Sequence, residues 1–72
     1  SITGEFMHKT IFQHMNMYGG MTEQQVAKKW YNGRVLQARQ VLQWGLFNAY
    51  FIKQNNLYVA YTPVYEVDME GM

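Results

Sequence analysis

The side chains that carry most enzymatic chemistry are scarce in this 72-residue chain. Cysteine is absent, Ser1 is the only serine, and Asp68 is the only aspartate. No catalytic triad can be assembled from this set of residues. His8 and His14 would lie about 120° apart on a helix, whereas a helical zinc pair needs a spacing of i and i+4. The sequence therefore predicts a protein without enzymatic activity, cofactor or bound metal.

Residues 34–44 offer a different chemistry, the recognition of DNA base edges. At about 100° per residue, the apolar side chains of this segment gather on one side of a helix and long polar side chains lie on the other. Glutamine can pair bidentately with adenine, and arginine with guanine. A glutamine-rich face considered alone is more often an ordinary solvated surface, so the neighbouring elements decide between the two interpretations. The predicted buried side comprises Val35, Ala38, Val41 and Leu42, and the opposite side comprises Leu36, Gln37, Gln40 and Gln43, with Arg39 at one margin and Arg34 at the start of the helix.

Two further helices are predicted before this segment. The first lies within residues 8–20 and is ended by Gly19-Gly20. The second begins at Thr22, because Thr22 and Gln25 form a capping box, and a short break at Asn32-Gly33 ends it. The side chains predicted to face inward are Met7, Ile11, Met15 and Tyr18 in the first helix and Val26, Ala27 and Trp30 in the second, with Met21 and Val26 as a hydrophobic staple and with Trp44 as a further core residue.

A β-hairpin is predicted after Gly45, where two alternating runs flank Asn55-Asn56. Asparagine tolerates the left-handed backbone of a two-residue turn, although a four-residue loop fits nearly as well. The two-residue turn pairs Gln54 with Leu57, Lys53 with Tyr58, Ile52 with Val59, and Tyr50 with Tyr61. Alternation then predicts a core-facing set, Tyr50, Ile52, Leu57, Val59 and Tyr61, and an outward set, Phe51, Lys53, Tyr58 and Ala60. After Pro63, residues 64–69 are predicted to form a further edge strand.

Helix, short turned break, helix, glycine and hairpin follow one another in the order of a winged helix-turn-helix. The predicted fold class is therefore α+β, with three short helices followed by a β-hairpin wing. The chain length suits one domain, which we assign to residues 7–69. Residues 1–6 are interpreted as a leader left by cloning, and residues 70–72 as a tail.

Residues 21–68 resemble phage excisionases, the small winged-helix proteins that bend DNA and set the direction of site-specific recombination. The resemblance rests on Thr22 at the start of the first motif helix and Trp44 near the end of the second. It also rests on the wing, KQNNLYVAYTPVYEVD, where the spacing of Lys53, Tyr58 and Val67-Asp68 matches. This resemblance implies a DNA-bending factor that acts with an integrase or another protein partner.

The chain departs from that pattern at two places. Excisionases of this kind usually carry arginines before the helix-terminal tryptophan, where this chain has Leu42-Gln43. They also approach the wing through a proline-rich segment, where this chain has Asn48-Ala49. With its extra N-terminal helix, the chain also resembles repressor-type winged helices and small Cro-like phage repressors.

Charge is unevenly distributed along the sequence. Residues 1–62 hold all six Lys and Arg against Glu5 and Glu23, whereas three acidic residues follow residue 62. A mildly basic body permits an anionic partner but does not require one. No apolar run approaches the roughly 18 residues of a membrane span. We therefore expect a cytoplasmic protein with no membrane partner.

Together these patterns predict sequence-specific binding of double-stranded DNA by a small transcriptional regulator or an excisionase-like recombination factor. The alternative is a non-catalytic protein-protein interaction module, such as a phage-type inhibitor or adaptor, that uses the glutamine face or an exposed Phe51 and Tyr58. A chain this short without disulfides favours a homodimer or a cooperative assembly on DNA. The predicted DNA-binding residues are Lys28, Lys29, Arg34, Gln37, Arg39, Gln40, Gln43, Lys53 and Tyr58.

Overall fold

The computed structural model describes residues 4–62, which form helices followed by a two-stranded antiparallel hairpin. This α+β layout is that of a winged helix-turn-helix, so the predicted fold class is confirmed. The predicted edge strand at residues 64–69 and the tail at 70–72 lie outside the described residues. The elements are α1 (Gly4–Tyr18), α2 (Glu23–Trp30), α3 (Val35–Phe47), β1 (Phe51–Gln54) and β2 (Leu57–Ala60).

Helix α1 extends back to Gly4, so it includes part of the predicted leader. It ends where Gly19 adopts φ +107° and donates its N–H to the Met15 carbonyl at 2.7 Å, as the glycine pair predicted. Met15 is buried, but the predicted core residue Tyr18 is 73% exposed. Tyr18 is the last helical residue and its ring contacts His14, with the ring centroids 4.8 Å apart. His8, which is only 2% exposed, faces the core instead.

Helix α2 begins as its capping box predicted. The Thr22 hydroxyl accepts from the Gln25 N–H at 3.2 Å, and the Gln25 side-chain oxygen accepts from the Thr22 N–H at 2.9 Å. These bonds satisfy two amide donors that a helix start leaves without partners. The break to α3 is also confirmed, because Asn32 and Gly33 both adopt left-handed conformations, with φ +55° and +86°.

Helix α3 buries Ala38, Val41 and Leu42 as predicted, but it continues past Trp44 to Phe47. Its interior includes Gly45, which the predicted fold places at the corner before the hairpin. A β-carbon at Gly45 would collide with the ring of Phe51, so this glycine allows β1 to pack directly on the helix. The corner lies further along, at residues 48–50.

The hairpin has the predicted register, with Lys53 opposite Tyr58 and a turn at Asn55-Asn56 in which Asn55 has φ +58°. Its predicted faces are wrong. Phe51 and Tyr58 are 3% and 1% exposed, so they face the core, whereas the set that includes Ile52 and Leu57 is the more exposed. Both faces of the hairpin carry apolar side chains. The alternation of residues along each strand therefore assigns side chains to two faces but does not show which face is buried.

Two contacts outside the hairpin decide the buried face. The Phe51 ring occupies the space left by Gly45. Met21 and Tyr58 exchange two backbone hydrogen bonds of 2.8 Å, which makes an isolated antiparallel bridge between the α1–α2 connection and β2. The core therefore draws on every element and is formed by Ile11, Met15, Met21, Val26, Ala27, Ala38, Val41, Leu42, Phe51 and Tyr58.

Among residues 4–62, no helix combines the length and apolar character that crossing a membrane requires.

Candidate nucleic-acid interface

The solvent-facing side of α3 is the main surface that the sequence analysis assigned to DNA binding. Three of the glutamines predicted to contact DNA are exposed there. Gln37, Gln40 and Gln43 all lie on the solvent side of the helix. Leu36, which is 68% exposed, shares this face. At about 100° per residue, positions 36, 40 and 43 fall within roughly 60° of one another, so they form one stripe along the helix axis. This stripe, Leu36, Gln40 and Gln43, is called the glutamine stripe below.

Arg39 lies beside the glutamine stripe but is engaged within the molecule. Its Nε is 3.2 Å from both carboxylate oxygens of Glu23, and its Nη2 is 3.1 Å from Glu23 Oε1. The side chain of Glu23 is only 17% exposed, whereas that of Arg39 is 45% exposed. A forked, charge-assisted contact of this kind fixes the direction of the guanidinium. Arg39 therefore joins α3 to the start of α2.

The same carboxylate also binds the wing. The Tyr58 hydroxyl donates to Glu23 Oε2 at 3.1 Å, so Glu23 bonds to α3 and β2 at once. The expectation that Tyr58 faces outward to contact DNA is wrong, because its ring is buried and its hydroxyl is committed to Glu23. We call Glu23, Arg39 and Tyr58 the carboxylate network.

Electrostatic interactions keep Glu23 and Arg39 charged and Tyr58 neutral near neutral pH. The hydrogen bond from Arg39, more than the one from Tyr58, holds the pKa of Glu23 below its ordinary value, although partial burial opposes the shift. Glu23 in turn raises the pKa of Arg39. Burial, followed by the hydrogen bond to Glu23, raises the pKa of the Tyr58 hydroxyl. Tyr58 therefore remains a donor and Glu23 an acceptor.

The other predicted cations are exposed. Lys28 and Lys29 occupy the last turn of α2, and Arg34 is the N-cap residue of α3, where it makes no side-chain capping bond. Lys53 lies on β1 with its Nζ 5.5 Å from the centroid of the Tyr58 ring. An ammonium over an aromatic face keeps its outer side open to other anions. These residues lie on the helix before α3, on the turn that connects the two helices, and on the wing.

Two depressions are lined by residues of α2 and its neighbours. One, of about 220 Å³, lies between the start of α2 and the wing and is lined by Thr22, Glu23, Gln24, Lys53, Asn56 and Tyr58. The other, of about 440 Å³, lies between the end of α1 and α2 and includes His14, Tyr18, Lys28 and Lys29 in its lining. Within residues 4–62, no group of three or more His, Cys, Asp or Glu side chains could hold a metal ion.

Sequence reasoning missed three features of this surface. Phe47, 90% exposed on the last turn of α3, was missed because the helix was expected to end near Trp44. Trp44 itself is 38% exposed and stacks on Tyr50 with the ring planes 16° apart, so it borders the core and is not enclosed by it. The partnership of Glu23 with Arg39 spans 16 residues, and no local pattern indicates it.

Comparison with protein-family models, curated proteins and solved structures finds no match for this chain. Its function is therefore inferred from its own residues.

Proposed function

We propose that this protein binds double-stranded DNA, with α3 in the major groove and the hairpin along the adjacent backbone or minor groove. It acts as a small regulator or an excisionase-like architectural factor without a catalytic role. The observation that supports the proposal best is the pairing of Glu23 with Arg39. Glu23 is the only acidic residue between residues 7 and 62, so within that described segment this pairing leaves no unpaired carboxylate to compete with phosphate for the exposed cations.

The residues divide into two roles by chemistry and position. Gln37, Gln40 and Gln43 present amides that can read base edges in the major groove. The cations position the protein on phosphates without reading sequence. Those assigned to this role are Lys28, Lys29, Arg34 and Lys53.

This charge set implies binding of modest strength that depends on salt. With about four phosphate contacts, the logarithm of affinity should fall against the logarithm of salt concentration with a slope of about −3 to −4. Occupancy of a natural site at physiological salt would then require a dimer or a cooperative assembly.

Fluorescence anisotropy with labelled duplexes tests the proposal. A pool of mixed-sequence duplexes should bind at low salt and weaken along the expected slope, and genomic fragments should include tighter sites. An absence of binding at every salt concentration would contradict the proposal.

A protein-interaction module is the second candidate, and the exposure of Phe47 and Leu36 supports it. Phe51 and Tyr58, the contacts first expected for such a role, are buried and cannot serve. The partner in this case would offer an apolar groove to one face of α3. Loss of partner capture from host lysate by Phe47→Ser, together with an absence of DNA binding by the parent protein, would favour this candidate.

A further inference from the structure

The carboxylate network leaves one edge of the Arg39 guanidinium open. Glu23 accepts the N–H of Nε and one N–H of Nη2, at 3.1 to 3.2 Å. Nη1 has no hydrogen-bond partner within residues 4–62. A guanidinium carries its five N–H donors in a rigid plane, so Nη1 keeps both of its N–H groups and Nη2 keeps its second. The edge formed by Nη1 and Nη2 is therefore a second donor fork that Glu23 does not use.

Glu23 holds this guanidinium from the protected side. Its side chain is much less exposed than that of Arg39, and its carboxylate also accepts the hydroxyl of the buried Tyr58 at 3.1 Å. If Arg39 turned away, a shielded carboxylate would lose its main charge partner. The guanidinium is thus oriented before any ligand arrives, which lowers the entropy that a contact with it must cost.

Arg39 borders the glutamine stripe on the surface of α3. Residues three or four positions apart are neighbours on a helix, so Arg39 adjoins Leu36 and Gln43 of the stripe. It is also the only cationic residue within α3. A fork of two arginine N–H donors matches the O6 and N7 acceptors that guanine presents in the major groove. A guanine bound to this fork would lie beside the base that faces Gln43.

We propose that Arg39 reads a guanine in the major groove through Nη1 and Nη2, and that Glu23 and Tyr58 are positioning residues for this contact. The inference rests on the proposed function and adds to it one base of the site. Glu23 balances the charge of Arg39, so the contact serves sequence preference more than general attraction to phosphate. The ligand is duplex DNA with a G·C pair at the margin of the bases that the glutamine stripe reads.

Base analogues test the contact with the parent protein alone. A preferred duplex is selected from a random pool, and each of its guanines is then replaced in turn. 7-Deazaguanine lacks the N7 acceptor, and at one position it should weaken binding by about 5- to 100-fold. Inosine keeps O6 and N7 and lacks only the minor-groove amino group, so at that position it should bind as guanine does. A selected site without guanine, or no loss with 7-deazaguanine at any position, would overturn the proposal.

A charge-balanced double variant tests which side chain makes the contact. Glu23→Gln together with Arg39→Gln keeps the net charge of the parent protein and removes the guanidinium. This variant should bind the guanine and 7-deazaguanine duplexes equally. Its salt slope should match that of the parent, because a base contact neutralises no phosphate. Retained discrimination, or equal weakening of all duplexes with a slope shallower by about 1, would overturn the assignment to Arg39.

Single substitutions test the positioning role. Glu23→Gln frees the guanidinium and should reduce the discrimination between guanine and 7-deazaguanine by about 2- to 10-fold. Because it removes a negative charge, it should bind duplexes without the preferred site at least as tightly as the parent does. A merely structural defect would weaken both kinds of binding together. Tyr58→Phe keeps the buried ring and removes only the hydroxyl, so it should reduce discrimination less than Glu23→Gln does.

Gln24→Ala is the matched control, since Gln24 is an exposed neighbour of Glu23 on α2 outside the carboxylate network. It should leave the discrimination unchanged. Thermal melts establish which variants fold. If Glu23→Gln does not fold, Tyr58→Phe decides the positioning role, and unchanged discrimination in that variant would overturn it.

The outcomes distinguish the inference from the function on which it rests. If the parent protein binds no duplex, both are wrong. If it binds duplexes but depends on no guanine N7, DNA binding stands and the guanine assignment is wrong. If it reads guanine and Glu23→Gln discriminates as well as the parent does, the positioning role of Glu23 is wrong.

Discussion

Leu42 and Gln40 lie on opposite sides of α3, so substitutions at these two residues should separate folding from recognition. Leu42 is fully buried, and Leu42→Ala should lower the free energy of unfolding by about 2–5 kcal/mol. Gln40 is exposed, and Gln40→Ala should leave the melting temperature nearly unchanged while weakening the preferred DNA site by about 1–3 kcal/mol. Chemical denaturation and anisotropy measure the two effects. Equal DNA binding by the parent and Gln40→Ala would exclude a base contact at this residue.

Lys53 should contribute to DNA affinity through its charge, without contributing to sequence preference. Lys53→Ala should weaken binding to all duplexes alike and make the salt slope shallower by about 1, because one phosphate contact is lost. Lys9→Ala is the matched control, since Lys9 is also exposed but lies on α1 and is not among the residues assigned to phosphate contacts. The same slope change in both variants would show that total charge matters and not the position of Lys53.

Glu23 should make stability depend on pH in acid. Its pKa is lowered in the folded protein, so the stability that it contributes is present above its unfolded pKa and is lost as the pH falls through the folded value. We expect the parent protein to be more stable than Glu23→Gln at pH 7, and the difference to shrink as the pH falls below about 4. Thermal melts between pH 7 and pH 3 measure this. A constant difference across that range would show that Glu23 acts through packing alone.

At the scale of elements, the connection from α3 to β1 places an alanine where glycine is usual. Ala49 has φ +64°, and the N–H groups of Tyr50 and Ala49 donate to the carbonyls of Gly45 and Leu46 at 2.7 and 3.2 Å. This is the Schellman pattern of helix ends, in which glycine avoids the cost of a left-handed conformation. The connection is therefore formed with a strained residue.

Reciprocal substitutions test this connection. Ala49→Gly should raise the free energy of unfolding by about 0.5–1 kcal/mol, because glycine relieves the strain. Gly45→Ala should lower it by about 1–3 kcal/mol despite the higher helix propensity of alanine, since the added methyl group meets the Phe51 ring. Urea denaturation gives both values. A gain in stability from Gly45→Ala would show that Phe51 can move aside without cost.

The elements also show which parts of the fold were predictable from sequence. The start of α2 and the turn of the hairpin were predicted correctly, because the Thr22 capping box and the Asn55-Asn56 turn are each complete within four residues. The inner face of the hairpin was not predictable, because Gly45 and Met21, which decide it, lie outside the two strands. The commitment of Arg39 was missed for the same reason, since its partner lies in another helix.

At the scale of the whole molecule, self-association through α1 is expected. Met17 and Tyr18 are both more than 70% exposed at the end of this helix, and methionine packs adaptably against varied surfaces. Sedimentation at micromolar concentration should show a dimer in the presence of DNA. The double variant Met17→Ser, Tyr18→Ser should remain monomeric, whereas Phe47→Ser, which removes exposed apolar surface from α3, should still form the dimer. A monomer of the parent protein with and without DNA would refute this expectation.

The bridge between Met21 and Tyr58 has a consequence for the order in which the protein can fold during synthesis. Met21 can pair with Tyr58 only after the ribosome has made α2, α3 and β1. Until then the nascent helices lack Phe51 and Tyr58, two large side chains of their shared core. Contacts so distant in sequence form late, because the intervening chain must first be ordered. We therefore expect the helix-turn-helix to acquire its fixed arrangement only when β2 leaves the ribosome, and a chain that stops before residue 58 to expose apolar surface that β2 would cover.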